Sequence, residues 1–267
     1  MEECKVAAQL SCPGCKTKLE QAGSDDAIVT CLNCGTSQNP VTGRRLTIKA
    51  SVIPSKKGQE DIPRIIRDWM GAEFHAVRDL ATGSTLLDPR LFYLPFFIID
   101  LKATSRYEGR STEDGEEISK NGLLEKGYNW KILGTRTYDF PTLKYNIPLD
   151  ERTVITPSTI SKGAIFYNSQ MDEEDARSVT RGEIDEYFKD QLSSDLEVIT
   201  RLETTLDIKE VYLVYSCIWE SWYEYGGCRY RILIDGSSGT VIHGDTPTKD
   251  VSSDNGFFER LRKSFFG

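Results

Sequence analysis

Hydrophobic and polar positions follow two different periods in the first part of the chain. Residues 46–54 alternate as a strand does, and apolar residues between positions 62 and 77 recur every three or four residues, which predicts an amphipathic helix. The almost continuously apolar residues 91–100 predict a buried strand, which alternation at residues 102–107 extends to a turn at Glu108-Gly109. This part of the chain therefore predicts one helix followed by an apolar strand and a hairpin.

A similar order recurs later in the chain. A second helix, opening near Thr180, is predicted by apolar residues at helical spacing: Ile184, Phe188, Leu192, Ile199 and Leu202. An aromatic strand follows at residues 211–223, and after a turn at residues 224–227 the chain returns at residues 228–234. We interpret the recurrence as a degenerate internal duplication of an α+β unit. The alternative is one irregular α+β domain whose similar segments arose by chance.

Ahead of both units, four cysteines are paired at the spacing of metal ligands. Cys12 and Cys15 flank one turn, fifteen residues intervene, and Cys31 and Cys34 flank a second turn. The intervening residues can form a short hairpin, with residues 27–30 as its return strand, that brings the two turns face to face. Four thiolates without a histidine predict a closed tetrahedral site for one structural metal ion, which we expect to be zinc. The alternatives are iron in a rubredoxin-like site, two redox dithiols, or coincidence.

Composition and charge limit the partners that this site can serve. The chain is 39% apolar, which is typical of a globular protein with a real core, and its net charge is −8. Residues 1–43 hold three lysines against five acidic residues, a sum of −2, and zinc bound by four thiolates adds a further −2. Because phosphate backbones repel such a segment, nucleic-acid binding by it is disfavoured.

Residues 10–36 resemble the zinc ribbons of general transcription factors and of many bacterial proteins. A wider resemblance, which spans most of the chain, is to bacterial zinc-ribbon proteins of poorly defined function. It lies in residues 93–96 after a helix containing Trp69, in residues 230–236 and 239–241, and in Gly244. Some of those are similar to proteins encoded near phage-shock-type membrane-stress genes. Phe97 stands where many relatives have a tryptophan. The resemblance implies no catalytic residue, because its shared motifs are packing motifs.

The remaining candidates for chemistry do not form a recognisable constellation in sequence. The two histidines, His75 and His243, lie near no plausible nucleophile, and no phosphate-binding loop or nucleophile elbow occurs. The acidic run at residues 172–175 lacks the spaced ligands of a calcium loop, so a solvated loop or a helix start is the better interpretation. We therefore expect no catalytic residue.

The C-terminal residues form an apolar and basic segment after a polar linker. Phe257, Phe258, Leu261 and Phe265 share a face at helical spacing, whereas the basic side chains lie off that face, which predicts a short C-terminal amphipathic helix. The candidate partner-binding residues are Phe257, Phe258, Leu261, Phe265 and Phe266. Such a tail can dock in a groove of a partner, lie on a membrane surface, or pack back on its own body.

Taken together, the sequence predicts an α+β protein with four parts. These are a Cys4 zinc ribbon at residues 1–43, α+β units at residues 44–147 and 148–247, and a linker with an amphipathic tail at residues 248–267. Paired cysteines and the absence of a recognisable secretory signal predict a cytoplasmic location.

The expected function is a non-enzymatic, zinc-binding adaptor that mediates protein–protein assembly, and the resemblance implies a membrane-stress or other multiprotein complex. Membrane contact is expected to be peripheral at most, and no small-molecule substrate is expected. The alternative is a nucleic-acid-binding or transcription-associated zinc-ribbon factor.

Overall fold

The computed structural model describes residues 10–19, 23–72 and 77–247. It is a mixture of helix and sheet, with 44% strand and 18% helix, and it carries a cysteine cluster near its N-terminus. The predicted mixture of helix and sheet is confirmed at this level. Tail residues Phe257, Phe258, Leu261, Phe265 and Phe266 lie outside the described ranges, as does His75.

The elements are numbered in chain order within the described residues. The strands are β1 Val29–Thr30, β2 Ser37–Gln38, β3 Lys49–Ile53, β4 Thr85–Leu86, β5 Arg90–Glu113, β6 Glu116–Leu133, β7 Ile165–Phe166, β8 Val198–Tyr225, β9 Cys228–Asp235 and β10 Val241–Gly244. The α-helices are α1 Ile62–Met70, α2 Leu80–Gly83 and α3 Glu173–Leu192, and single 3₁₀ turns occur at Gln59–Asp61, Thr142–Lys144 and Leu149–Glu151.

One eight-stranded sheet organises the molecule. Its main path runs β10-β9-β8-β5-β6, while β3 and β4 pair with β8 and β7 pairs with β5. Strands β5 and β8 are antiparallel neighbours from Arg90 opposite Glu220 to Arg110 opposite Val198. Strands from both predicted α+β units therefore belong to the same sheet, and the division of the chain at residue 147 stays a prediction.

The centre of the sheet is covered on both faces. Tyr215 donates a hydrogen bond of 2.7 Å to Thr30, which lies in the cysteine-bearing segment (residues 12–34). The next residue, Ser216, bonds instead to Tyr145 in the irregular segment between β6 and β7, at 2.6 Å. Successive side chains of a strand point to opposite faces, so the cysteine-bearing segment and the 134–164 segment cover opposite faces of the sheet.

Beyond this core, the three longest strands continue as an extended arm. The arm consists of residues 101–113 of β5, 116–128 of β6 and 198–208 of β8. Helix α3 covers one face of it with residues at intervals of four: Ala176, Thr180, Ile184, Phe188 and Leu192. This spacing places all five on one side of the helix, and their burial against the sheet stabilises an otherwise polar helix.

The turn of the β5–β6 hairpin differs from the prediction. The chain reverses at Asp114 and Gly115, which have φ angles of +52° and +84°, and not at Glu108-Gly109. Positive φ at both central residues is typical of the two-residue turn that joins twisted antiparallel strands. Gly109 lies inside β5 at a register shift, where a Cβ atom would meet Leu196 Cδ1 at 2.6 Å. The glycine thus permits close packing and does not mark a turn.

The second predicted helix also differs in its bounds. Helix α3 begins after Asp172, whose side chain accepts a hydrogen bond of 2.9 Å from the Asp175 amide, so the acidic run is a helix start. The helix ends at Leu192, and both Ile199 and Leu202 belong to β8. Their separation of three residues suited a helix, but pairing with β5 sets their conformation.

The first predicted helix is shorter than expected. Ile62, Ile66 and Met70 are buried along one side of α1, as the periodicity predicted, but Val77 lies outside the helix. Within the described ranges, none of the helices combines the length and the apolar character needed to cross a membrane.

Candidate metal centre

The four cysteine sulfurs converge on one point. All four Sγ atoms lie within 4.8 Å of one another, with Cys12 3.6 Å from Cys34 and Cys15 3.7 Å from Cys31. A tetrahedral metal site with bonds of about 2.3 Å to sulfur has sulfur–sulfur edges of about 3.8 Å. The four side chains can therefore hold a tetrahedral metal ion, as their spacing predicted.

Two similar turns supply these sulfurs, and we call them the first knuckle (residues 11–18) and the second knuckle (residues 30–37). In the first, the Cys12 amide donates to the Thr17 carbonyl at 2.9 Å; in the second, the Cys31 amide donates to the Thr36 carbonyl at 2.9 Å. Each turn closes through a residue with positive φ directly after its second cysteine, namely Lys16 (+64°) and Gly35 (+70°). The backbones of the two knuckles therefore have equivalent turns.

Hydrogen-bonding groups surround the sulfurs in a matching way. The Gly14 amide donates to Cys12 Sγ at 3.3 Å. The Thr17 hydroxyl lies 3.2 Å from Cys15 Sγ, and the Thr36 hydroxyl lies 3.3 Å from Cys34 Sγ. Such partners orient metal ligands and tune their basicity. Sequence analysis did not single out these threonines, although each stands two residues after the second cysteine of its pair, and that repeat was visible.

The cysteines differ in exposure and in acidity. Cys12 and Cys31 are buried, Cys15 is half-buried and Cys34 is exposed. Hydrogen bonds with Thr17 and Asn33 lower the pKa of Cys15 to about 5, whereas burial raises the pKa of Cys31 to about 12. Because a metal ion binds the thiolate, metal uptake at neutral pH must displace the Cys31 proton.

The second knuckle is joined to the body by its leading strand. The Ile28 amide donates to the Ser169 carbonyl at 3.0 Å, and the Ser169 amide donates back at 3.2 Å. Ile28 is 1% exposed and belongs to the hydrophobic core of the sheet. Thr30 accepts from Tyr215, and its amide donates to Asn168 at 3.4 Å. The residues immediately before Cys31 are therefore positioned by the sheet body.

The first knuckle has different neighbours. Its described hydrogen bonds outside itself run to the second knuckle: the Asn33 amide group donates to Thr17 at 3.3 Å, and the sulfurs face each other across the centre. A Cβ atom on Gly14 would meet the Thr36 hydroxyl oxygen at 2.5 Å, so the two turns pack closely. Among described residues, the first knuckle thus rests on the second.

The other sequence candidates do not join this centre. His243 belongs to β10 and its ring lies 3.0 Å from the Asp245 carboxylate, and the acidic run caps α3. Among the described residues, the group of four cysteines is the one cluster of side chains suited to a metal ion. The proposed partner-binding residues of the tail fall outside the described ranges, so that prediction stays a prediction.

Comparisons of this chain with protein-family models, with curated proteins and with solved structures found no match. The resemblance to bacterial zinc-ribbon proteins accordingly stays a prediction.

Proposed function

We propose that the protein is a zinc-binding adaptor in which the metal ion has a structural role. The observation that carries this proposal is the convergence of four thiol sulfurs within 4.8 Å of one another, with two of the distances at 3.6 and 3.7 Å, close to the edge length of a tetrahedral thiolate site. Thiolate ligands in this geometry favour zinc, with iron as the chemical alternative. Four protein ligands complete a tetrahedral site, so a reactant has no coordination position, and this supports a non-enzymatic role.

Within this proposal, the cysteine-bearing segment is a zinc ribbon, and the sheet body that follows derives from a duplicated unit. Four reduced thiols are stable in a reducing compartment, which supports a cytoplasmic location. The ribbon lacks a large core of its own, and metal ligation would supply much of its folding free energy, about 10–16 kcal/mol at neutral pH in comparable small sites.

The arm supports the assembly part of the proposal. Its face away from α3 is exposed and carries ion pairs such as Lys102 with Glu125 at 2.8 Å and Arg201 with Glu108 at 3.4 Å. Among the described residues, β5 is the one strand neighbour of β6, so the outer edge of β6 has free backbone groups. Exposed strand edges can pair with an extended segment of a partner. The arm and the tail are therefore the surfaces that we assign to protein partners.

Metal analysis tests the first part of the proposal. Protein purified without chelator should carry about one zinc ion per chain, because the four ligands form one tetrahedral set. Cys31→Ser should lose the metal. Cys228→Ser is the matched control, because Cys228 is an exposed, free cysteine in β9. Metal content far below one equivalent in the unmodified protein would refute both the metal centre and the adaptor role that depends on it.

Affinity purification from the native host tests the adaptor role. The tail variant Phe257→Ala/Phe265→Ala should lose partners that the full chain retains in stoichiometric amount, because it removes the shared apolar face. Leu143→Ala is a suitable control, since this leucine is 81% exposed on the body. An unchanged set of partners would exclude the tail as a docking segment, and the absence of any stoichiometric partner would refute the adaptor role.

One observation favours the nucleic-acid-binding alternative. The Leu46 amide donates to the Ser37 carbonyl at 2.9 Å, so exposed Arg44 and Arg45 lie beside the second knuckle. Residues 1–46 then hold five basic and five acidic residues, which balance before the −2 of a zinc thiolate centre. A gel-shift experiment at low and high salt tests this alternative, because phosphate contacts weaken steeply with salt. No shift at low salt would exclude it.

A further inference from the structure

The two knuckles share their chemistry but differ in what holds them in place. The second knuckle continues a strand whose backbone pairs with Ser169, whose Ile28 side chain is buried in the sheet core, and whose Thr30 bonds to Tyr215. None of these contacts involves a cysteine. They should therefore persist whether or not a metal ion is bound.

The first knuckle depends on the metal centre in a different way. Its described contacts to the rest of the chain are the sulfur approaches, the Asn33–Thr17 hydrogen bond and the packing of Gly14 on Thr36. A single hydrogen bond between exposed groups contributes little to stability. The metal–sulfur bonds are therefore the main force that we expect to join the first knuckle to the second.

We propose that the metal ion holds the first knuckle on the second. When the ion leaves, the first knuckle detaches, while the second knuckle stays docked on the sheet. This inference rests on metal binding by the four cysteines, as in the proposed function. It differs from the usual expectation for a small metal module, in which loss of the ion unfolds the whole module. Here the sheet body replaces part of the scaffold that the metal would otherwise provide.

The consequence is a surface that changes with metal supply. Detachment removes Gly14 from Thr36 and separates Cys15 from the buried Cys31, so the face of the second knuckle that the first knuckle covers becomes exposed. The sheet core stays intact, because its contacts with Ile28 and Thr30 do not pass through the centre. A partner that recognises the closed pair of knuckles would therefore be released by zinc depletion without unfolding of the body.

Hydrogen–deuterium exchange on the full chain tests this inference, with zinc content measured on the same sample. Chelation of the zinc-loaded protein with EDTA should abolish protection at the Cys12 and Lys16 amides, which are hydrogen-bonded in the first knuckle. Protection at Ile28, Thr30 and Ser169 should remain. If zinc is bound and protection disappears in both regions, or in neither, selective detachment of the first knuckle is refuted while the metal assignment stands. If no metal binds, the proposed function has failed first.

A pair of tyrosine variants gives an independent test. Tyr215→Phe deletes the hydroxyl that donates to Thr30, and it should weaken zinc binding by roughly fivefold through a less ordered second knuckle. Tyr93→Phe is the matched control, because Tyr93 is equally buried and its hydroxyl bonds to Ser161 instead of the cysteine-bearing segment. Equal zinc affinity in both variants would show that the body does not preorganise the second knuckle, and would overturn the inference.

Discussion

The first and second knuckles are alike around the sulfurs and unlike everywhere else. Both have a cysteine pair, a left-handed residue after the second cysteine, and a threonine hydroxyl beside a sulfur. The second knuckle is continuous with a strand that is paired and buried on the sheet body, whereas the described contacts of the first run to the second. Equivalent ligand chemistry can thus coexist with very different mechanical support.

This difference suggests that the metal centre joins two segments of unequal stability. An element docked in a core opens with a free energy close to that of global unfolding, while an element held by few contacts opens locally. A metal ion bound by the four cysteines would raise the stability of the weaker element and add little to that of the stronger one.

The largest effect is expected from removing core contacts of the second knuckle. Ile28→Ala should lower the free energy of unfolding of the zinc-loaded protein by about 2–5 kcal/mol, because it leaves a cavity in the sheet core. Leu19→Ala, at the half-buried residue directly after the first knuckle, should cost less than about 1 kcal/mol. Urea unfolding followed by tryptophan fluorescence measures both. Similar losses in the two variants would contradict the unequal support of the knuckles.

An intermediate and equal effect is expected from the two threonines beside the sulfurs. Thr17→Val and Thr36→Val each delete a hydroxyl at hydrogen-bond distance from a cysteine, and each should weaken zinc binding by about tenfold. Competition with a chromophoric chelator measures the two affinities. Equal losses of zinc affinity are expected, because the two knuckles differ in their contacts with the body and not in the groups beside the sulfurs. A clear inequality would place the asymmetry at the sulfurs themselves.

The smallest effect is expected at the two left-handed positions. Gly35→Ala should lower stability by about 1 kcal/mol, since alanine is strained at a φ angle of +70°. Lys16→Gly should change stability by less than about 0.5 kcal/mol, because relief of strain is offset by the greater freedom of glycine in the unfolded chain. Thermal unfolding of the zinc-loaded variants measures both. A larger loss for Lys16→Gly than for Gly35→Ala would contradict equivalent knuckle backbones.

Local sequence signals predicted the elements whose partners lie nearby. Apolar periodicity identified the core strands and the buried side of α1, because burial on one face requires that spacing. The hairpin turn at Asp114-Gly115 was also readable from the sequence, since this dipeptide favours positive φ at both positions, but the glycine at position 109 was taken for the turn. That glycine is explained only by the close approach of Leu196 from the segment before β8.

Long-range contacts overrode the local pattern in two places. Ile199 and Leu202 fit a continuation of the second helix, but they pair with β5, at Gly109 and Tyr107. Those partners lie about ninety residues earlier in the chain, so helical spacing could not reveal them. The shared sheet likewise connects segments that the sequence presented as two successive units.

The candidate ligand set could be read from the amino-acid sequence alone, because two cysteine pairs with turn-forming neighbours specify both the sulfur atoms and their local geometry. The sequence also determined the two equivalent turns, whose hydrogen bonds close within six residues. The unequal support of the knuckles, with the second fixed to the body and the first resting on the second, depends on the packing of the folded chain. Thr30 meets Tyr215 185 positions away, and such a contact arises from the packing of the whole sheet and not from any local pattern.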